Sequence, residues 1–179
     1  MSLLKEKYIK EVVPVFKKEF GLTNIFQVPK IDKVVINVGL GSAIKDEKLQ
    51  VAIGDTIRRI TGQKPLETTA KKAISNFKIR KGQVVGMKVT LRGKRMFDFL
   101  DKLVHITIPR IRDFRGISMK CVDANGSLHI GFKEHVSFPE IKTDEIERIH
   151  GLEVSIVTNA KNHDKGLLLF KYLGIPFSK

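Results

Sequence analysis

Ten lysines and arginines crowd the 32 residues from Lys64 to Arg95 (Lys64, Lys71, Lys72, Lys78, Arg80, Lys81, Lys88, Arg92, Lys94 and Arg95) against a single acid, Glu67. Their chemistry is phosphate binding. Like charges held this close repel one another, and a surface that keeps them usually has a polyanion to relieve the repulsion. The stretch carries +9, ten cations less one acid, out of a formal net charge of +14, so the excess belongs to one region. A localised excess argues for a binding face, and a nucleic acid is the polyanion it fits best. A basic surface without a dedicated partner is the blander reading. An anionic membrane fits less well, because a surface-lying helix needs a broad apolar stripe opposite its cations, and Ala70 to Gln83 offers only Ile74, Phe77 and Ile79.

Other residues invite catalytic or cofactor chemistry and fall short of it. Val34 to Val38 leads into Gly39-Leu40-Gly41, as at the start of a dinucleotide-binding turn, but Ile44 stands where the third glycine is needed. Gly93-Lys94 lacks the phosphate-loop spacing, and Arg95 replaces the magnesium-binding Ser or Thr. His105, His129, His135, His150 and His163 show no ligand spacing for zinc, and Glu134-His135 lacks a second histidine. Asp144, Glu145 and Glu147 read as a solvated helical turn. Neither a catalytic residue, a metal site nor a cofactor is therefore expected. Phe77, within Asn76-Phe77-Lys78-Ile79-Arg80-Lys81, has two open readings: a ring that stacks on bases while its neighbours hold phosphates, or an anchor for its own loop.

The elements that must position these groups follow from periodicity. Leu4, Tyr8, Val12, Phe16 and Phe20 mark a helix from about Leu3 to Phe20, kinked or split by Pro14 and stopped by Gly21. Lys33 to Val38 reads as a strand, and Glu47 to Thr61 as a helix ended by Gly62. Val84 to Leu91 is a strand with Met87, Val89 and Leu91 on one face and Lys88, Thr90 and Arg92 on the other. A helix runs from about Lys94 to His105, with Pro109 preventing its continuation; Ile111 to Asn125 is an ordered loop leading to a hairpin-type turn. Leu128 to Phe132 and Leu152 to Thr158 are strands, and Asp164 to Leu173 is a helix with Asp164 as its cap and Gly174 as its stop. The pattern predicts an α+β two-layer sandwich, a mainly antiparallel sheet with helices on one face. The other face is left open for RNA.

At 179 residues and 42% hydrophobic content the chain suits a single domain spanning 1–179. Cys121 is its only cysteine, which excludes an internal disulfide and points to a reducing compartment. The start, Met1 to Lys18, lacks the continuous apolar run of a secretory signal or membrane anchor, so a cytoplasmic protein is expected.

Seven segments in order carry a family resemblance: Val28 to Gly39, Thr61 to Pro65, Ala70 to Arg80, Gly86 to Gly93, Pro109 to Gly116, Phe138 to Ile141 and Leu173 to Phe177. Over essentially its whole length the chain resembles the bacterial large-subunit ribosomal protein family that binds 5S ribosomal RNA, numbered five in its subunit. The resemblance implies a non-enzymatic protein that helps attach 5S RNA to the central protuberance, among large-subunit RNA and proteins. It implies that Asn37, Gln63, Thr90 and Arg92 meet 5S RNA, with Lys33, Lys64 and Lys88 adding phosphate contacts. It further implies that a basic loop at about 70–83, bearing Lys71, Lys72, Asn76, Phe77, Lys78, Arg80 and Lys81, projects toward transfer RNA in the peptidyl site as a mobile finger. Arg110, Arg112, Asp113, Phe114 and Arg115 correspond to a bridge to a small-subunit head protein. The alternative is a basic RNA-modifying or nucleotide-binding enzyme around Gly39 to Gly41; with the ribosomal reading, no membrane and no small-molecule substrate are expected.

Overall fold

The computed structural model describes residues 2–41, 43, 46–141 and 149–178. Ile44, Asp144, Glu145 and Glu147, named above, lie outside these described residues. In chain order the elements are α1 (Leu3–Lys7), α2 (Val13–Phe20), β1 (Ile31–Gly39), α3 (Glu47–Thr61), β2 (Leu66–Thr69), β3 (Val84–Leu91), α4 (Gly93–Lys102), β4 (Leu128–Phe132), β5 (Leu152–Thr158) and α5 (His163–Leu173). The strands form one open antiparallel sheet in the order β2-β3-β1-β5-β4, which with the helices makes the α+β sandwich. The chain divides into two compact units, one of residues 1–34, 91–130 and 154–179, the other of 35–90 and 131–153.

In the first unit a π-helical stretch, Tyr8–Val12, joins α1 to α2. The disruption expected at Pro14 takes this form: the wider turn comes just before α2 and leaves Pro14 in the first turn of α2, where a missing N–H costs least. Past α4 the chain stays helical through a π stretch, Leu103–Thr107, and a 3-10 turn, Ile108–Arg110. Pro109 thus ends the helical path later than its sequence position suggests, because the changed hydrogen-bond spacing makes its absent N–H unnecessary. Helix α5 is capped by Asn162, not Asp164: the Asn162 side chain accepts from the Asp164 N–H at 2.9 Å. Val12, Phe16, Leu100, Leu103, Leu169 and Phe170 fill this unit's core.

In the second unit α3 begins at Asp46, whose carboxylate accepts from the Leu49 N–H at 3.2 Å, and ends at Gly62 in the left-handed conformation. Its apolar stripe, Leu49, Ile53, Ile57 and Ile60, is buried. A Cβ placed on Gly54 would sit 3.5 Å from Met87 Sδ, so the helix lies over the apolar side of β3. Further along, the rings of His135 and His150 stack with centroids 3.9 Å apart, and the His135 backbone N–H donates to the His150 carbonyl at 3.1 Å.

Burial holds the His135 imidazole below the usual histidine range, against smaller opposing effects of the His150 backbone and of Glu134. The unfolded chain therefore binds this proton more readily than the folded one, and stability falls with acidification below the ordinary histidine pKa of about 6.5. Melting followed from pH 7.5 to 5 should show that loss, and His135→Gln should flatten this part of the profile; parallel profiles for the two proteins would remove His135 as its source.

Candidate nucleic-acid interface

Strand alternation decides which groups are offered to a ligand. On β1, Val34, Ile36 and Val38 are buried while Asn37 is exposed; on β3, Met87, Val89 and Leu91 are buried while Lys88 is exposed and Thr90 half-buried. The period of two sends Val34, Ile36, Val38, Met87, Val89 and Leu91 inward and leaves amide, ammonium and hydroxyl groups, beside half-buried Val35, on the outer face. The second unit holds Asn37, Gln63, Lys64, Lys88 and Thr90 together. Lys33, near the start of β1, and Arg92, just past the end of β3, fall in the first unit.

Gln63 is placed by the end of α3. The Gly62 turn redirects the chain, Thr61 Oγ donates to the Ile57 carbonyl at 2.7 Å, and the same oxygen accepts from the Gln63 N–H at 3.2 Å. The Gln63 amide then reaches across to the Thr90 carbonyl at 3.4 Å. That bond orients a half-buried amide whose oxygen remains an acceptor. Lys64 and Lys88 are exposed, with room to meet phosphate.

Sequence periodicity predicts no strand at Leu66–Thr69, and the structure forms one there. It pairs antiparallel with β3, Leu66 opposite Lys88 and Thr68 opposite Gly86, with an irregularity at Thr69. Four residues with one apolar side chain give too short a pattern to announce a strand, and the pairing is set by β3. Beyond this pair the chain continues as a hairpin. Ala70 N–H donates to the Gln83 carbonyl at 2.9 Å, Gly82 N–H to the Ala70 carbonyl at 2.9 Å, and Ile74 and Ile79 exchange bonds of 2.9 and 3.2 Å. A 3-10 turn, Ser75–Phe77, closes the tip, with Lys78 left-handed at φ 54°. Lys71, Lys72, Asn76, Lys78, Arg80 and Lys81 are exposed around it. Phe77 is 71% exposed, so of its two readings the ring does not serve as an anchor among the described residues.

In the first unit the segment expected to bridge subunits is a surface corner. Arg110, Arg112, Asp113 and Arg115 are exposed, Phe114 is half-buried and Asp113 is left-handed at φ 54°. Its base is fixed where Ile117 N–H donates to the Pro176 carbonyl and Ser178 N–H to the Ile117 carbonyl, both at 2.9 Å.

Among the described residues the glycine-flanked turn forms no nucleotide cradle. Leu40 is fully buried and its N–H donates to the Val85 carbonyl at 2.9 Å, so this backbone group already has a partner. The N–H of Leu49 at the start of α3 is likewise taken by Asp46, whose negative charge opposes a pyrophosphate there. Among the described residues no three His, Cys, Asp or Glu side chains gather as a metal site, and no helix there is long and apolar enough to cross a membrane.

Comparison with known proteins accounts for both parts of the chain. Residues 24–80 match the family model described as ribosomal protein L5, and residues 84–177 match the model described as the C-terminus of that ribosomal family. The chain is 51% identical over 179 residues to the large ribosomal subunit protein uL5 of Thermoanaerobacter sp. (strain X514), and 49% identical over 179 residues to that of Halothermothrix orenii, covering 100% of each chain in both cases. It is 50% identical over 177 residues to that of Francisella tularensis subsp. novicida (strain U112), covering 99% of each. Matched across both segments and along the full length of these relatives, the chain belongs to the ribosomal protein L5 family and is a structural, non-enzymatic constituent of the large ribosomal subunit.

Proposed function

We propose that the chain binds 5S ribosomal RNA through the outer face of β1 and β3 and helps attach it to the central protuberance of the subunit. The observation that carries this reading is the outer-face polar set of exposed Asn37 and Lys88 with half-buried Gln63 and Thr90, backed by buried apolar neighbours and flanked by exposed Lys64. Amide and hydroxyl groups read base edges and 2′-hydroxyls of unpaired RNA, while the lysines neutralise phosphate. Lys33, within β1, and Arg92, just past β3, add phosphate contacts.

The hairpin at 70–83 meets a second polyanion, the transfer RNA in the peptidyl site, with Phe77 free to stack on a base and the surrounding cations holding phosphates. Arg110 to Arg115 contacts a small-subunit head protein and bridges the subunits. Other large-subunit proteins and RNA complete its surroundings in the cytoplasmic ribosome.

Titration of the protein into 5S RNA at increasing salt tests the phosphate-led mechanism. With about six phosphates contacted, log affinity falls against log salt with a slope of roughly −4 to −5. A flat response would reject it, and equal affinity for an unrelated structured RNA of the same length would reject the specific 5S assignment.

A further inference from the structure

Two strand glycines of the second unit lie opposite one another, Gly39 exposed and Gly86 buried, and the fold accounts for only the second. The Leu40 N–H bond to the Val85 carbonyl sets Gly39 opposite Gly86 in the antiparallel pair, and a Cβ placed on Gly86 would fall 4.0 Å from Gly39 Cα. At Gly86 that atom would also meet Thr68 Oγ at 2.9 Å and the Val38 carbonyl at 3.1 Å, so the protein itself keeps this position bare. At Gly39 a Cβ would meet no described atom within 4 Å, and the residue has no positive φ. Glycine in a strand gives up side-chain packing and costs more backbone entropy than alanine. A bare strand position that the surrounding atoms do not demand, set beside an amide and an ammonium on the same face, is open to close approach by a polyanion from outside the protein.

We propose that a nucleotide of the bound RNA rests directly against the exposed backbone at Gly39, making it the point of closest approach between protein and RNA. The inference builds on the 5S reading of this face. Asn37 lies on the same face two residues before Gly39, Lys88 two residues after Gly86, and Thr68 opposite Gly86. An amide, an ammonium and a hydroxyl therefore border the bare strip at Gly39. Such a strip lets a ribose or base ring lie within van der Waals distance of the backbone while polar neighbours fix its register. A side chain at Gly39 would hold the nucleotide away from all three groups.

The test compares 5S RNA binding by the full chain, Gly39→Ala, Gly39→Val and, as a matched control, Gly131→Val. Gly131 is an exposed glycine of β4 where a Cβ likewise meets no described atom within 4 Å. Melting of each protein verifies folding. The expected result is a roughly tenfold loss of affinity for Gly39→Ala and a larger loss for Gly39→Val, with Gly131→Val within about twofold of the parent. Unchanged binding by folded Gly39→Ala and Gly39→Val overturns the close approach and leaves 5S binding standing. Equal losses in the Gly39 and Gly131 variants overturn its location, and failure of the parent chain to bind 5S RNA removes both the approach and the reading beneath it.

Discussion

Replacing Asn37, Gln63 and Thr90 together with alanine should weaken 5S RNA binding about a hundredfold. Each loses a neutral hydrogen-bonding group, and such bonds contribute on the order of 1 kcal/mol net apiece. Three independent losses come to roughly 3 kcal/mol, and about 1.4 kcal/mol corresponds to each decade of affinity. Stability should change far less. Asn37 is exposed on β1, and the Gln63 bond to the Thr90 carbonyl is long at 3.4 Å. The fold gives up no buried apolar group, so the melting temperature should stay within about 6 °C of the parent, since 1 kcal/mol moves a chain of this size by roughly 2–4 °C. Lys88→Ala supplies the contrast. Removing one phosphate-neutralising cation should reduce the salt slope by about 1 and weaken binding to all RNAs alike. Filter binding or fluorescence titration with 5S RNA and an unrelated structured RNA separates the two behaviours. Parent-like affinity of the folded triple variant would sink the assignment of these three residues.

The sequence revealed most about strands long enough to show a period and helices with clear ends. β3, β4 and β5 span the residues that alternation and β-branching mark, and α3 runs from Glu47 to the αL glycine that ends it. Local pattern and tertiary need agree there, because one strand face or one helix stripe is buried. Where hydrogen-bond spacing changes, pattern misleads. Pro109 looks like a stop, yet the π stretch Leu103–Thr107 ahead of it carries the helical path to Arg110. Asp164 and Asn162 are both good caps by type, and only the geometry of the first turn distinguishes them.

Charge located the basic region but could not divide it. Lys64 precedes β2, Lys88 lies within β3, and the cations from Lys71 to Lys81 crowd a hairpin whose ladder continues those strands. The resemblance, not the charge, separates the two parts in the sequence, and β2, which joins them, is visible only as a partner of β3. Gly39 was legible as a turn glycine and no more, since the empty space above it arises from the pairing of two strands distant in sequence.

Gly166→Ala should destabilise the protein by about 2 kcal/mol, although alanine is the better helix former. A Cβ on Gly166 would lie 2.4 Å from Gly126 Cα, 2.5 Å from its oxygen and 2.7 Å from its carbonyl carbon. All three are backbone atoms, so no rotamer change relieves the clash. Nor can the opposing turn easily retreat. Gly126 N–H donates to the Asp123 carbonyl at 3.0 Å, Ser127 N–H donates to the Asp123 side chain at 2.7 Å, and Thr158 Oγ donates to the Gly126 carbonyl at 2.7 Å. Overpacking of this kind costs roughly 1–3 kcal/mol or more, against up to about 1 kcal/mol gained from helix propensity. The melting temperature should fall by about 4–8 °C. The same substitution in α3 should act in the opposite direction. A Cβ on Gly54 finds Met87 Sδ at 3.5 Å, an ordinary contact with a flexible side chain, so Gly54→Ala should be neutral or stabilise by up to about 1 kcal/mol. Thermal melting of the two variants side by side decides the matter: equal shifts would mean that propensity, and not the backbone contact at Gly126, sets the requirement for glycine in α5.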